Sequence, residues 1–117
     1  MIIYEVNLEV EESIKFKYAG WMPSHIEKMM KIPGFTNAYW FSRQNEMEGK
    51  PQEKALWTLH YVVSDEAALK AYFNNQAKAM RQESIDLFGD GFKAERRILY
   101  PLAAADAPGH EMPDPQP

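Results

Sequence analysis

Residues 2–32 read IIYEVNLEVEESIKFKYAGWMPSHIEKMMKI, and the spacing of the apolar side chains changes once within this stretch. Over residues 2–10 apolar and polar side chains alternate strictly, which predicts a strand with one buried face. Over residues 11–32 large apolar side chains recur every three or four positions, which predicts a helix with one buried stripe. The strand face carries Ile2, Tyr4, Val6, Leu8 and Val10, and the helix stripe carries Ile14, Tyr18, Trp21, His25, Met29 and Ile32.

Two residues in the first helix disfavour helical structure. Pro23 has no N–H to donate to the carbonyl of residue 19, and its ring crowds that carbonyl. Gly20 weakens the same turn because it loses more backbone entropy than other residues. We therefore expect either a kinked helix or two short helices in tandem.

The rest of the chain predicts three more strands and one more helix. They follow in the order of a strand over 35–43, a polar hairpin loop over 45–53, a strand over 54–63, a helix opened by Ser64 and closed by Gly89, and a strand over 92–102. The predicted stripe of the second helix consists of Leu69, Tyr72, Phe73, Gln76, Met80, Leu87 and Phe88. This order is the ferredoxin-like βαββαβ arrangement of α+β proteins, in which both helices cover one face of a four-stranded antiparallel sheet.

The sequence predicts one folded domain over residues 1–102, followed by a tail over residues 103–117. The tail holds four of the eight prolines and three acidic residues, with almost no large apolar side chain. Such a segment cannot offset its conformational entropy by burial. We therefore expect a disordered, Pro/Ala-rich acidic tail.

The third predicted strand carries apolar residues on both faces, since Leu56 and Val62 alternate with Trp57, Leu59 and Tyr61. Helices on one side of the sheet would leave the other side apolar and bare. A second copy of the same sheet covers it most simply. We therefore predict a homodimer through the open sheet face, which is a dimeric α/β barrel.

The composition excludes several classes of function. The chain has no cysteine, so disulfides, thiolate nucleophiles and cysteine-ligated metals are excluded. The net charge of -4 and the lack of a basic run argue against nucleic-acid partners and anionic membranes. The first residues show no signal peptide, and no apolar run is long enough to span a membrane. We expect a cytoplasmic protein without a cofactor.

Three groups of residues resemble a bacterial domain-of-unknown-function family within the dimeric α/β-barrel superfamily, over about residues 1–102. The groups are Trp21-Met22-Pro23-Ser24-His25-Ile26, then Gly34-Phe35-Thr36, then Tyr72, Ala77, Met80, Arg81, Glu83 and Phe88-Gly89. The chain departs from the family pattern at Ser84, where a histidine is usual, and at Glu27, where a proline is usual. The resemblance implies a superfamily of cofactor-independent monooxygenases, isomerases, mutarotases, dehydratases and stress-induced proteins. Their sites often lie between the helices and the sheet.

His25 is the most informative candidate, because it lies in the apolar stripe between Trp21 and Met29 and is expected to point toward the sheet. There it could act as a general base or acid, or donate a hydrogen bond to a ligand. It could equally be a neutral core histidine. Arg81, at the edge of the second helix's buried face, could bind an anionic ligand group or pair with a carboxylate, such as Glu83, Asp86 or one from the dimer partner.

We therefore predict a ligand site between the first helix and the sheet, with His25 as its candidate catalytic group. Its predicted ligand-binding residues are Tyr4, Trp21, His25, Tyr61, Tyr72 and Arg81. The aromatic members could instead belong to the core or the dimer interface. No paired histidine spacing predicts a metal site.

Two hypotheses of function follow. In the first, the protein binds an apolar or aromatic small molecule, with cofactor-independent acid/base chemistry of the isomerase or monooxygenase kind. In the second, it is a non-catalytic, stress-associated or regulatory dimer module that acts through protein contacts. A cavity of at least about 300 Å³ beside His25 would favour the first hypothesis, and a filled core the second.

Overall fold

The computed structural model describes residues 1–44 and 53–105. Their helices and strands are β1 (Ile2–Glu11), α1 (Lys15–Met29), β2 (Phe35–Ser42), β3 (Lys54–Val63), α2 (Glu66–Asn75), α3 (Ala77–Phe88) and β4 (Phe92–Leu99). The predicted hairpin loop, apart from residue 53, and the predicted tail beyond residue 105 lie outside the described residues.

The four strands form one antiparallel sheet in the order β2-β3-β1-β4. β1 lies in the interior of the sheet, where Tyr4 is opposite Tyr61 of β3 on one side and Ile98 of β4 on the other. The helices cover one face, so α1 packs beside the pair α2 and α3. The α+β class, the four-stranded antiparallel sheet and the order of the strands along the chain are as predicted.

The core lies between the helices and one face of the sheet. The alternation over β1 holds, because Ile2, Tyr4, Leu8 and Val10 are buried and Val6 packs half-buried against them. Burying one side chain of this size stabilises the fold by roughly 1.5–3 kcal/mol. The helices contribute a second set of buried side chains, which are Tyr18, Met22, Met29, Leu69, Tyr72 and Ala77.

The first helix differs from its prediction in two ways. A short 3₁₀ turn, Glu12–Ile14, precedes α1, so the α-helix begins at Lys15 and not at residue 11. Pro23 lies inside one uninterrupted helix, so the alternative of two tandem helices is wrong. The cost of an interior proline is about 3 kcal/mol, and burial of Met22 and Met29 on either side of it offsets that cost.

The second helix is divided in two at Gln76, where φ is -115°. The break changes which side chains of α3 face the core, so Leu87 is 56 % exposed although it was predicted to be buried. Phe73 is also 36 % exposed. The N-cap is Asp65 and not Ser64, because the Asp65 carboxylate accepts a hydrogen bond from the Ala68 amide at 2.8 Å.

The last strand ends at Leu99, three residues earlier than predicted, and residues 100–105 are exposed and irregular. Among the residues that the structure describes, no helix is long and apolar enough to cross a membrane.

The face of the sheet away from the helices carries a polar network around Glu5. Although it lies on this open face, Glu5 is only 5 % exposed. Its carboxylate accepts hydrogen bonds from Arg97 Nε at 2.6 Å, His60 Nε2 at 2.7 Å and Asn7 Nδ2 at 2.8 Å. Beside this network, the apolar rings of Tyr39 and Phe41 are about half exposed.

Candidate functional site

A small cavity lies between α1, α3 and the covered face of the sheet, with a volume of about 40 Å³. Its apolar lining consists of Val6, Leu8, Met22, Met29, Leu59 and Met80. Its polar lining consists of Tyr4, His25, Tyr61, Tyr72, Arg81, Ser84 and Arg96. A space of this volume admits a few waters or a group of a few heavy atoms, well below the ~300 Å³ typical of drug-sized ligands.

His25 enters the cavity from the middle of α1, as its place in the helical stripe predicted. Its ring stacks on Trp21, with the ring centroids 4.5 Å apart. Its Nδ1 atom is buried and has no hydrogen-bond partner among the described residues. Because few buried polar atoms are left unpaired in native proteins, this nitrogen is a candidate contact for a bound molecule.

Burial lowers the pKa of His25 to about 4, since the charged imidazolium is poorly solvated there. The nearby Glu83 opposes this shift and Lys28 adds to it. Those two side chains form an ion pair with each other at 2.7 Å. His25 is therefore a neutral imidazole at pH 7, able to donate a hydrogen bond from one ring nitrogen and accept one at the other.

We expect the ring resonances of His25 to titrate near pH 4 in an NMR pH titration, well below the ordinary value of 6.5. Because the unfolded chain takes up this proton first, the contribution of His25 to stability is complete above pH 6.5 and is lost as the pH falls toward 4. An ordinary midpoint near 6.5 would show that the ring is solvated and would contradict the burial of His25.

Three tyrosines form the aromatic wall of the cavity. The Tyr4 ring lies 6.1 Å from that of Tyr61 and 5.7 Å from that of Tyr72, measured between centroids. Burial raises the pKa of both Tyr61 and Tyr72 far above the ordinary range. These phenols are therefore neutral and could donate hydrogen bonds to a ligand oxygen.

Arg81 reaches the cavity from α3. Its Nη2 atom donates to the Tyr4 hydroxyl at 3.2 Å, and its guanidinium lies 5.9 Å from the centroid of the Phe73 ring. Its Nε atom is buried and has no partner among the described residues. The carboxylates predicted as alternative partners are engaged elsewhere, because Glu83 pairs with Lys28 and Asp86 accepts from Gln82.

The structure brings five of the six predicted ligand-binding residues to this one cavity, which are Tyr4, His25, Tyr61, Tyr72 and Arg81. Trp21 does not line the cavity, and its ring instead stacks on the ring of His25. Whether these residues bind a ligand stays a prediction.

Two polar residues of the lining were not among the predicted site residues. Arg96 could have been found, because alternation along β4 from Phe92 puts it on the covered face, opposite Val6 of β1. Ser84 was noted only as a departure from the family pattern, because a serine in a helix is usually exposed. It is buried, its hydroxyl donates to the Arg81 carbonyl at 2.8 Å, and it occupies the position where the resembling family usually has histidine.

Within residues 1–44 and 53–105, no three histidine, aspartate or glutamate side chains converge in an arrangement that could hold a metal ion.

The comparison with protein families agrees with the resemblance seen in the sequence. The profile of DUF4286, a domain of unknown function, matches residues 1–102. The chain belongs to this family. No match to this DUF4286 protein was found among curated protein sequences.

Solved structures similar to this DUF4286 protein share its fold at low sequence identity. A candidate antibiotic biosynthesis monooxygenase from Deinococcus radiodurans has a TM-score of 0.69 and 7 % identity, over 93 % of this chain and 100 % of that one. A dimeric ferredoxin-like protein from an uncultured marine organism has a TM-score of 0.65 and 11 % identity, over 89 % and 97 %. SnoaB from Streptomyces nogalater, a cofactor-independent oxygenase, has a TM-score of 0.62 and 11 % identity, over 92 % and 97 %. These similarities show a ferredoxin-like fold.

Proposed function

We propose that this DUF4286 protein binds a small molecule with an apolar or aromatic body in the cavity between α1 and the sheet. The observation that carries the proposal concerns two buried polar atoms, His25 Nδ1 and Arg81 Nε. Neither has a hydrogen-bond partner among the residues that the structure describes, and both residues line the same cavity. Leaving a buried polar group unpaired costs about 1–3 kcal/mol. A ligand that bonded to both atoms would remove that cost.

The volume of about 40 Å³ limits what can bind without rearrangement. A polar head group of a few heavy atoms fits, and a larger body requires the lining to move. Three of the apolar lining residues are methionines, which are Met22, Met29 and Met80. Methionine side chains are unbranched and repack easily, so this wall is the part of the cavity best able to open.

His25 is the candidate general base of the site, but the burial that lowers its pKa to about 4 also makes the ring a weak base at pH 7. An anionic group of a bound ligand beside the ring would stabilise the imidazolium and raise that pKa, and His25 could then take a proton from an acidic C–H or O–H group of the ligand. The proton moves to an imidazole nitrogen, and the electron pair stays on the ligand as an anion. The neutral tyrosines and the Arg81 guanidinium are placed to stabilise that anion. This is the first step of an isomerase-like or a cofactor-independent oxygenase-like reaction.

A screen of a metabolite library by thermal shift tests the proposal, with two matched variants. His25→Phe keeps a ring stacked on Trp21 but removes both nitrogens, and His60→Phe makes the same change on the opposite face of the sheet. We expect hits that raise the melting temperature of the wild type by several degrees, as ligands well above their Kd do. The hits should be lost in His25→Phe and retained in His60→Phe. No hits, or hits unaffected in His25→Phe, would contradict the proposal.

The small cavity volume favours a second candidate function, a non-catalytic dimer module acting through protein contacts. Both candidates include the homodimer through the open sheet face, which is supported by the exposed rings of Tyr39 and Phe41 there. Light scattering after size exclusion should give twice the chain mass of 13.5 kDa. A monomer at micromolar concentration would contradict the dimer.

A further inference from the structure

We propose that the ligand is a small organic monocarboxylate, whose carboxylate is held in the cavity by Arg81 and Arg96. This inference rests on the proposed function and narrows it to one chemical class. It starts from the charges of the lining, which includes two guanidinium groups and no aspartate or glutamate. Arginine binds carboxylates through two parallel hydrogen bonds, so an unpaired guanidinium in a cavity indicates that kind of partner.

The contacts of Arg81 leave its charge without an anionic partner among the described residues. Its guanidinium contacts the Tyr4 hydroxyl and the Phe73 ring, and neither carries a negative charge. The closest acid along α3, Glu83, is held by Lys28 at 2.7 Å. Burying a guanidinium edge without an anion is costly, and a bound carboxylate would compensate it.

Arg96 brings a second positive charge to the same space from β4. Across the strands it is opposite Val6, whose side chain lines the cavity. Its neighbour Arg97 points to the other face of the sheet, where it already pairs with Glu5 at 2.6 Å. Burial raises the pKa of Tyr72, and the charges of Arg81 and Arg96 both oppose that shift, so both cations act on a side chain that lines the cavity.

The size of the cavity limits which part of such a ligand fits without rearrangement. About 40 Å³ accommodates a carboxylate and little more. We place the carboxylate beside the two guanidinium groups. An aromatic or branched apolar body would then lie against Met22, Met29 and Met80, the part of the lining best able to move.

Isothermal titration calorimetry of the full chain with benzoate, phenylacetate and the neutral analogue benzamide tests this inference. We expect at least one of the two acids to bind about tenfold more tightly than benzamide at pH 7 and low salt. The preference should disappear in Arg81→Gln and fall severalfold in Arg96→Gln. It should persist in Lys93→Gln, which removes the same charge from the open face of β4.

Equal binding of acids and amide would overturn the carboxylate and leave the proposed function in place. If neither acid binds, the carboxylate inference is also overturned. The proposed function is tested separately by the library screen, which includes neutral compounds. If Arg81→Gln does not fold, Arg96→Gln decides, because Arg96 is exposed on an edge strand. An unchanged preference in Arg96→Gln would then count against the inference.

Discussion

Gly34→Ala is expected to lower the free energy of unfolding by about 3 kcal/mol, through backbone strain and overpacking together. Gly34 has a φ of +88°, in the left-handed region that side chains disfavour. An added Cβ would lie 2.3 Å from the Cβ of Ala68 and 3.1 Å from Ser64 Oγ. Ala68 belongs to α2, so the helix would have to move away from the turn that connects α1 to β2. Urea denaturation followed by circular dichroism measures the loss.

Gly20→Ala is the matched control for this prediction. Gly20 lies within α1, and an added Cβ would meet no atom within 4 Å. The same methyl group should here stabilise the protein by about 0.5–1 kcal/mol, because alanine loses less backbone entropy in a helix. If Gly34→Ala were within about 0.5 kcal/mol of the wild type, the close packing of the α1–β2 turn against α2 would be wrong.

Glu5→Gln is expected to cost about 2 kcal/mol at pH 7, because charge-assisted hydrogen bonds on a buried carboxylate would be lost. Burial by itself would raise the pKa of Glu5, but hydrogen bonds from Arg97, His60 and Asn7 outweigh it and lower the pKa from 4.5 to about 2. The folded state therefore holds its proton less tightly than the unfolded state does. The contribution of Glu5 to stability is complete above pH 4.5 and is lost as the pH falls toward 2.

Denaturation curves at several pH values check this prediction. In Glu5→Gln the stability should fall less steeply below pH 4.5 than in the wild type. Glu9→Gln is the control, because Glu9 lies on the same face of β1 but its side chain is 41 % exposed and its ion pair with Lys54 is long, at 3.9 Å. That variant should behave like the wild type. Equal acid sensitivity in Glu5→Gln and the wild type would show that the network around Glu5 does not hold its charge.

The sheet was predictable because apolar and polar side chains alternate strictly from Tyr4 to Val10 of β1, so that one face of this strand is apolar. The continuity of α1 and the N-cap of α2 were not predictable from the sequence, because they depend on competition between local backbone preference and tertiary packing. Pro23 is locally unfavourable, yet burial of the methionines around it keeps α1 continuous. Ser64 and Asp65 are both good N-caps, and in the structure it is the Asp65 carboxylate that accepts the hydrogen bond from the Ala68 amide.

The site was predictable where it follows from a helical stripe and was not where it depends on three-dimensional packing. The place of His25 in the α1 stripe put its ring against the sheet, and the structure has it there. The depressed pKa of His25 follows from how completely its neighbours exclude water, which no spacing reveals. The same holds for the cavity volume and for the burial of Ser84.

The most direct test of ligand binding in this cavity is NMR of the methionine methyl groups during titration with a hit from the library screen. Met22, Met29 and Met80 line the cavity, whereas Met1 is 65 % exposed and Met30 lies outside the lining. We predict that the hit shifts the methyl resonances of the three lining methionines and leaves that of Met1 unchanged. A hit that binds without shifting any of those three resonances would contradict binding between α1 and the sheet.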